Sequence, residues 1–505
     1  MRILSAPRNV WCEPPVTTAG VLVDGDDYYR ALYAAAAEAQ HYILLAGWQF
    51  DSDACLLRGE EAQSAALPVT LLAFLDALCA RNPDLHVYIL AWDFHVVFAL
   101  EREFMQAQRF NWTTNDRLRF MFDDNHVDGA SHHQKFAVID GELAFLGGLD
   151  LCDQRWDDRG HTVPNPLRSS RGTPHKPFHD LQAYIVGHEA VGAITSLFAA
   201  RWAAAGGGPL ALPTAAPRLA GYAPTGATAL PTARVALSRT DPRGYPEGTP
   251  DRREIFTLYA DAIDRAQRLI YIETQYLSSK DLGEVLMQRI RAPGRSALDI
   301  AIVINHQAQT IKEEIAIGLA QAKVIAELRH AATGTEHRLG IYYTVPATED
   351  DSEPDSATYI HSKMMIVDDR LLTVGSANLT NRSLGIDTEL NVTVESETDG
   401  DDLGRAIYRL RHELISEHLG LEDFGPAEDR RLVDALCDLA ARREGRLRIH
   451  PSPTDEERAA LAVIDPQQLP FDPDAYETHD HTKSIFVDGL GVLWRRISGC
   501  DASQG

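Results

Sequence analysis

Cysteine is scarce in this chain, and long apolar runs are absent. The six cysteines among 505 residues show no Cys-x-x-Cys spacing, so the sequence predicts neither a dense disulfide scaffold nor a cysteine-based zinc site. The most apolar stretch, residues 65–80, contains Pro68 and Asp76 and is too short to span a bilayer. Residues 1–8 lack the apolar core of a secretory signal. We therefore expect a soluble protein, cytoplasmic or exported without a signal peptide, that makes only peripheral contact with membranes.

Basic residues are outnumbered by acidic ones. The chain has 48 Lys and Arg against 73 Asp and Glu, a formal net charge of -25. Nucleic-acid binding normally needs a basic footprint, so we expect no nucleic-acid partner. No group of His, Cys and carboxylate residues has metal-ligand spacing, and the isolated His479 and His481 are typical of a solvated loop. We therefore expect neither a metal nor a cofactor.

The pattern H-x-K-x-x-x-x-D is present twice. Its defined positions are His133, Lys135 and Asp140 in the first copy, and His361, Lys363 and Asp368 in the second. A Gly-rich segment follows each copy at the same distance, with Gly148 and Asp150 in the first, and Ser376 and Asn378 in the second. One copy could arise by chance. Two copies with matched flanks indicate two halves that each give one His and one Lys to a shared site.

Strand geometry predicts how each copy is arranged. The residues after each lysine, 136–139 and 364–367, are short apolar runs that favour β-strands. Asp140 and Gly141 predict a tight hairpin turn, with residues 142–146 as the return strand. Residues two apart on a strand share a face, so the His and Lys of each motif project together. Each aspartate lies near the turn, which indicates a structural role.

The duplication extends beyond the motifs. Residues 39–46 resemble residues 266–273, and a predicted strand at 85–91 has its counterpart at 298–304. Strands alternate with helical stretches, including residues 26–40, 69–80 and 311–330. This alternation predicts an α/β fold with helices on both faces of each sheet.

The composition also predicts domain boundaries. A chain this long exceeds one ordinary core. We predict a first catalytic half at residues 1–205, an Ala/Gly/Pro-rich linker at 206–230, and a second catalytic half at 231–420. Residues 421–505 form a tail of unassigned role with one helical pattern at 427–443.

Two histidines and two lysines suit chemistry on a phosphodiester. Lys135 and Lys363 supply positive charge for the non-bridging oxygens. One histidine attacks phosphorus to give a covalent phosphohistidine, and the other protonates the leaving alcohol. The two histidines need opposite protonation states, which carboxylates hydrogen-bonded to the rings would set. Candidate orienting or substrate-binding residues stand at matched places downstream of the motifs: Asp180 and Glu389, Asp150 and Asn378, and Gly148 and Ser376.

These residues carry a resemblance to the phospholipase D superfamily, and the longer segments resemble true phospholipase D. The matching segments are residues 147–161, 177–180, 271–276, 359–369 and 375–378. The resemblance implies two α/β/α sandwich domains related by a pseudo-twofold axis, with the active site at their interface. It also implies that His133 attacks, that His361 does the acid/base work, and that no metal is needed in the chemical step.

The resemblance implies a phospholipase D that hydrolyses the distal phosphodiester of glycerophospholipids, with phosphatidylcholine the expected substrate. The products are phosphatidic acid and the free head group, and an alcohol can replace water as acceptor. We expect a monomer that meets its substrate at a membrane surface. Residues 92–104 could supply an apolar loop for that contact, or a buried amphipathic helix.

Three alternatives stay open. A phosphatidyltransferase resembling cardiolipin synthase would use the same motifs, although such enzymes usually carry transmembrane helices. A nuclease of the same superfamily fits poorly with the acidic composition and with the acidic run at residues 349–355. A binding protein with a decayed site is disfavoured because both histidines and both lysines are present.

Overall fold

The computed structural model describes most of the chain. The described residues are 2–93, 103, 105–127, 129–213, 218–219, 221–242, 252–306, 317–348, 357–425 and 431–452. Several sequence predictions therefore fall outside the described residues: most of the apolar stretch 92–104, the acidic run 349–355, the start of the helix predicted at 311–330, and His479 and His481.

Among its described residues, the first half contains one large sheet, five α-helices and a few short strands. Its strands are β1 (Thr18–Val23), β2 (Tyr42–Gly47), β3 (His86–Trp92), β4 (Leu118–Asp123), β5 (Phe136–Ile139), β6 (Leu143–Gly147), β7 (Thr162–Val163), β8 (Ser169–Ser170), β9 (Thr173–Pro174), β10 (Phe178–His179), β11 (Leu181–Val186) and β12 (Thr228–Ala229). Its α-helices are α1 (Asp24–Ala37), α2 (Gly59–Ser64), α3 (Leu71–Arg81), α4 (Gln106–Trp112) and α5 (His188–Trp202). A 3₁₀ turn covers Asp153–Arg155, and a π-helical turn, Ala203–Gly207, follows α5.

The second half repeats this plan. Its strands are β13 (Ala236–Asp241), β14 (Arg252–Arg253), β15 (Leu269–Thr274), β16 (Asp299–Val303), β17 (Arg338–Thr344), β18 (Ala347–Thr348), β19 (Tyr359–Ile360), β20 (Lys363–Val367), β21 (Leu371–Gly375), β22 (Glu389–Glu395) and β23 (Leu447–Ile449). Its helices are α6 (Glu254–Arg265), α7 (Lys280–Arg291), α8 (Leu319–Ala332), α9 (Asn381–Gly385), α10 (Asp402–Leu419) and α11 (Leu432–Arg442). The side chain of Asp401 caps α10 by accepting from the Gly404 N–H, and Gly420, with φ of 70°, ends the helix.

The two large sheets have the same strand order. The first runs β12-β1-β11-β6-β5-β2-β3-β4, and the second runs β14-β13-β22-β21-β20-β15-β16-β17-β23. Seven strands of one sheet therefore correspond one to one with seven of the other. This order confirms the predicted α/β duplication, including the strands predicted at 85–91 and 298–304.

Alternate residues of each strand face two different cores, as the two-residue period of a strand requires. Leu44 faces a central core that both sheets share with α5, α10 and α11, while Ile43 and Leu45 face an outer core with α1 and α3. In the second half the outer core lies against α6, α7 and α8. The halves are thus joined face to face through one continuous apolar layer.

The predicted hairpin after the first motif is confirmed. β5 pairs antiparallel with β6, and the connecting residues Asp140 and Gly141 have φ of 51° and 66°. Two positive φ values are the signature of a type I′ turn, which Asp-Gly favours. In the second copy Asp368 and Asp369 each have φ of 56°, so the same turn forms without glycine.

Three segments pack outside the regions that the sequence predicts for them: the N-terminus, the end of the linker and part of the C-terminal tail. Ile3, Leu4 and Val10 near the N-terminus lie in the outer core of the second half. β12, within the predicted linker, pairs with β1, and β23, within the predicted tail, extends the second sheet. No helix among the described residues has both the length and the apolar composition needed to cross a bilayer.

Candidate active site

Two short inter-half strand contacts place the motif histidines. Before the first motif, the His133 N–H donates to Thr388 O at 3.0 Å, and the Thr388 N–H donates to Ser131 O at 3.0 Å. Before the second, β19 pairs in parallel with β10, and the His361 N–H donates to His179 O at 2.7 Å. Each histidine therefore enters the site beside a strand of the opposite half.

The same contacts carry the orienting carboxylates across the interface. Glu389 directly follows Thr388, and its two carboxylate oxygens each lie 3.0 Å from His133 Nδ1. Asp180 directly follows His179, and its Oδ2 lies 2.6 Å from His361 Nδ1. Both carboxylates are fully buried. Neither imidazole Nε2 makes a hydrogen bond within the described part of the chain, so both nitrogens are available to a substrate.

The lysines take equivalent positions in the two motifs. Lys135 Nζ donates to His133 O at 3.0 Å, and Lys363 Nζ donates to His361 O. The charge of each lysine acts on both histidines, which brings all four side chains into one site. Lys363 also donates to Gln275 Oε1 at 3.1 Å.

Burial dominates the electrostatics of the site. It lowers the pKa of His133 and His361 well below the usual range, with the neighbouring lysines acting in the same direction. Burial also raises the pKa of Asp180 to about 7 and that of Glu389 to about 8. A neutral His beside a protonated carboxyl carries the same number of protons as an imidazolium beside a carboxylate. A pair in either form can therefore give one proton near neutral pH, and a pair that has lost it leaves a neutral imidazole whose Nε2 can attack.

Burial shifts the pKa of Lys363 downwards, whereas it shifts the pKa values of the two acids upwards. Burial, followed by the balance between Asp180 and Lys135, lowers the pKa of Lys363 to about 7. A lysine with such a pKa is easily neutralised, and an anionic substrate would restore its charge. The site is thus built for a ligand that brings negative charge with it.

Steric fit explains why Gly148 stands where the second copy has Ser376. A Cβ on Gly148 would lie 2.2 Å from Asp180 Oδ1, so only glycine leaves room for that carboxylate. Ser376 instead donates its hydroxyl to Glu389 Oε2. Glu389 is thus held by a hydrogen bond from Ser376, whereas Asp180 fits only because Gly148 has no side chain.

Asp150 and Asn378 also differ in what they contact. Asp150 Oδ1 accepts from the Trp48 N–H at 2.8 Å, and its Oδ2 lies 3.5 Å from Lys135 Nζ. Asn378 Nδ2 donates to Gln275 Oε1 at 3.4 Å. The negative charge of Asp150 therefore partly offsets the positive charge of Lys135. Asn378 is neutral, and its partner Gln275 is the side chain that accepts from Lys363.

The aspartate of the first motif is bound to backbone away from the histidines. Asp140 Oδ1 accepts from the N–H groups of His41 and Tyr42 at 2.8 and 3.0 Å, and its Oδ2 accepts from that of Gln40 at 2.8 Å. These groups form the loop that enters β2. Asp140 thus fixes the start of the strand that pairs with β5.

Asp368 does the same in the second half. Its Oδ1 accepts from the N–H groups of Arg268 and Leu269, and its Oδ2 accepts from that of Gln267, at 2.7 to 2.8 Å. These residues lead into β15, the counterpart of β2.

A second buried cluster, the interface cluster, includes His179, the residue directly before Asp180. His161 Nε2, His179 Nδ1 and carboxylate oxygens of Asp24 and Glu417 lie within 4.8 Å of one another, a spacing that could hold a cation. Glu417 comes from the second half and the other three from the first. The sequence predicts no metal site because these residues are far apart in the chain, and that expectation stays a prediction.

Electrostatics within the interface cluster are strong. Burial opposes the charge of His161, but Asp24, Asp157 and Glu417 outweigh burial and raise the pKa of His161 to about 9. Burial likewise opposes the charge of His179, which Asp24 and Glu273 overcome, so its pKa lies well above the usual range. His179 immediately precedes Asp180, so the cluster also anchors the strand that carries this carboxylate.

Sequence reasoning did not select two residues that the structure brings to the site. Gln275 lies between Lys363 and the Tyr359 hydroxyl, to which its Nε2 donates at 2.7 Å. Arg155 has its guanidinium carbon 5.2 Å from the Phe178 ring centroid, and that ring packs 5.1 Å from the His361 ring. Gln275 directly follows β15, and Arg155 ends the 3₁₀ turn in the loop after β6; such positions in loops after strands were the available signal.

Comparisons with known proteins agree with this architecture. Residues 259–410 match the family model described as "Cardiolipin synthase, PLD-like domain". Phospholipase D alpha 3 of Arabidopsis thaliana is 25% identical over 504 residues, which cover 75% of this chain and 61% of the relative. Phospholipase D A of Dictyostelium discoideum is 26% identical, covering 79% of this chain and 35% of the relative. The chain therefore spans about three fifths or less of these relatives.

A solved structure extends the likeness to the whole fold. Phosphatidylserine synthase of Haemophilus influenzae Rd KW20 superposes with a TM-score of 0.52 at 12% identity, covering 90% of this chain and 97% of that one. At this identity the likeness concerns the fold alone. The duplicated sheets, the two motifs at one interface and the sequence relatives agree, and together they support the phospholipase D superfamily as the family of this chain.

Proposed function

We propose that this protein is a phospholipase D that cleaves the distal phosphodiester of a glycerophospholipid, with phosphatidylcholine the first substrate to test. The observation that carries the proposal is the crossed pairing of each motif histidine with a carboxylate of the other half. The arrangement supports a two-step displacement, with a nucleophile on one side of phosphorus and a proton donor on the other.

In the first step Nε2 of His133 attacks phosphorus. A P–N bond forms, and the P–O bond to the head group breaks. The leaving oxygen takes a proton from Nε2 of His361, while Lys135 and Lys363 hold the non-bridging oxygens. Glu389 and Asp180 keep the Nδ1–H of each ring in place, so each Nε2 is positioned for its task.

In the second step the phosphohistidine is released. Neutral His361 now accepts a proton from water, whose oxygen bonds to phosphorus as the P–N bond breaks. The products are phosphatidic acid and the original enzyme. Because the intermediate is covalent, a small alcohol can take the place of water and give a phosphatidyl-alcohol.

The decisive experiment is incubation with phosphatidylcholine vesicles, with and without 1-butanol, followed by chromatography of the lipids. We expect phosphatidic acid alone in the first case and added phosphatidylbutanol in the second. The His133→Ala and His361→Ala proteins, checked for wild-type melting, serve as matched controls and should give neither product. Vesicles left intact by a protein that cleaves plasmid DNA would reject the lipid substrate.

One rival shares the chemistry but uses a different acceptor. A phosphatidyltransferase resembling cardiolipin synthase would move the phosphatidyl group to the hydroxyl of a second lipid. Both the matched family model and the solved phosphatidylserine synthase structure are named for phosphatidyl-transferring enzymes, so this alternative is tested as well. Adding phosphatidylglycerol to the vesicles separates the two, since the rival predicts a four-chain lipid product in preference to phosphatidic acid.

A further inference from the structure

Arg155 is a cation at the active site that no described residue pairs with. Its Nε is buried and has no hydrogen-bond partner, and no acceptor among the described residues contacts the rest of its guanidinium. Three other enclosed arginines of the first half have carboxylate partners: Arg58 with Asp153, Arg168 with Asp157, and Arg201 with Asp123. A guanidinium withdrawn from water is costly unless an anion meets it.

The surroundings of Arg155 direct it towards the reacting groups. The Phe178 ring under its guanidinium also packs on the His361 ring and lies 5.5 Å from the Tyr359 ring. The charge of Arg155 is among the causes that lower the pKa of both His361 and Lys363, after burial. Arg155 is only half-buried, so its outer nitrogens remain open to a ligand in the cleft.

The charge balance of the site indicates why a further cation such as Arg155 is needed. Two lysines and the protonated imidazole of His361 stand against three carboxylates, those of Asp150, Asp180 and Glu389. Asp150 lies 3.5 Å from Lys135 Nζ and uses part of its charge. The site without Arg155 therefore has no net positive charge to attract an anionic phosphodiester, and another cation would supply it.

The position is specific to one half. The two motifs and their Gly-rich segments are separated by 228 residues, and the same separation from Arg155 leads to Ser383. Ser383 is buried and lies in the first turn of α9, where its N–H is bonded to the Thr380 side chain. The second half therefore supplies no equivalent cation at this position.

We propose that Arg155 is the third phosphate-binding cation of the site and donates hydrogen bonds to the two non-bridging oxygens of the substrate phosphate. This inference rests on the proposed function in one respect, that the substrate is a phosphodiester. A planar guanidinium fits two oxygens of a phosphate group, which an ammonium cannot match.

Binding of inorganic phosphate to the whole protein, measured by calorimetry at fixed pH and ionic strength, tests the proposal. Arg155→Met should weaken phosphate binding about tenfold or more, since a charge-assisted hydrogen bond is worth about 1.5–3 kcal/mol. Arg155→Lys should recover part of the loss because it keeps the charge without the fork. Arg58→Met is the matched control: its guanidinium lies 4.8 Å from the Trp156 ring, and we expect wild-type phosphate affinity.

Kinetics on a short-chain soluble phosphatidylcholine supply a second readout. Arg155→Met should lower kcat/KM by about 10²- to 10³-fold, the range for one lost transition-state donor. Removing this charge should also move the alkaline limb of the kcat/KM profile to higher pH, because the pKa of Lys363 rises. A purely structural role would not move that limb.

Phosphate affinity of the wild-type level in a folded Arg155→Met protein would overturn the proposal. If that variant melts below the assay temperature, Arg155→Gln, a polar side chain without the charge, decides, and wild-type phosphate affinity in it would equally overturn the proposal. A wild-type protein that binds phosphate through Arg155 yet hydrolyses no phospholipid would reject the proposed substrate while leaving this inference standing.

Discussion

In the first half the motif imidazole lies against a glutamate, and in the second it lies against an aspartate. Each acid is buried, and each comes from the half that does not contain its histidine. Glu389 is held by Ser376, and Asp180 is accommodated by Gly148. Two nearly equivalent motifs are thus placed in different surroundings, and that difference can give opposite protonation states to the two histidines.

The cations are also unequally distributed. Lys135 lies beside Asp150, whereas Lys363 lies beside a neutral glutamine and has its pKa lowered to about 7, chiefly by burial. Arg155 stands on the His361 side alone. A site made by duplication has therefore become asymmetric through residues around the motifs, while the motifs themselves are unchanged.

The largest effects should come from the histidines. His133→Ala and His361→Ala should each lower turnover of phosphatidylcholine by about 10⁴-fold or more, and the double variant should be little worse, because residues that act as a unit are non-additive. A p-nitrophenyl phosphodiester, whose leaving group needs no proton, distinguishes the two roles. His361→Ala should keep a measurable burst of nitrophenol and His133→Ala should not.

Mass spectrometry of protein denatured without acid completes that test. The phosphorylated peptide should contain His133. An adduct found only on the peptide containing His361 would reverse the two assignments.

The orienting carboxylates should give the next largest effects. Asp180→Asn and Glu389→Gln should each lower kcat by about 10²- to 10⁴-fold, the range for a misplaced acid/base group. Both should fold, because amides of the same shape replace carboxyls whose neutral form burial favours. Steady-state kinetics on folded protein measure the loss, and turnover within a factor of two of wild type would contradict the crossed pairing.

The raised pKa of Asp180 predicts how stability changes with pH. Its value is about 7 in the folded protein and 3.8 as the ordinary reference, so folding takes up a proton between these values. The contribution is complete below about pH 4 and is lost as pH rises towards 7. The melting-temperature difference between wild type and Asp180→Asn should therefore fall from pH 4.5 to 7.5, and a constant difference would contradict this.

Substitution of Gly148 and of Ser376, the small residues beside the two acids, should lower kcat by different amounts in the two halves. Gly148→Ala places a Cβ against Asp180 and should cost about 10²-fold in kcat, since a displacement of about 1 Å has that effect. Ser376→Ala removes one hydrogen bond from Glu389 and should cost about tenfold. Equal losses in the two variants would show that the steric explanation of Gly148 is wrong.

The smallest effects on catalysis should come from the motif aspartates. In Asp140→Asn and Asp368→Asn one acceptor oxygen becomes an amide donor facing the N–H of Gln40 or Gln267. Each should lower the free energy of unfolding by about 1–3 kcal/mol, and the more buried Asp140 should cost more. Asparagine tolerates positive φ, so the turns themselves are kept.

Denaturant titration and kcat per folded molecule measure the two consequences separately. Wild-type stability combined with complete loss of turnover would assign these aspartates a direct chemical role.

The sequence determined the local parts of this protein. Alternating apolar residues and the Asp-Gly pair specify the first hairpin, because a type I′ turn needs two residues that tolerate positive φ. The repeated motif specifies the duplication and the four reactive side chains. The resemblance to the phospholipase D superfamily follows from those residues.

The tertiary structure alone decided which residues meet. Glu389 lies 256 residues from His133 and Asp180 lies 181 residues from His361, so no local rule assigns either pair. The interface cluster of Asp24, His161, His179 and Glu417 is likewise assembled from both halves. Strand periodicity and turn chemistry act over a few residues, whereas these contacts depend on how two sheets pack face to face.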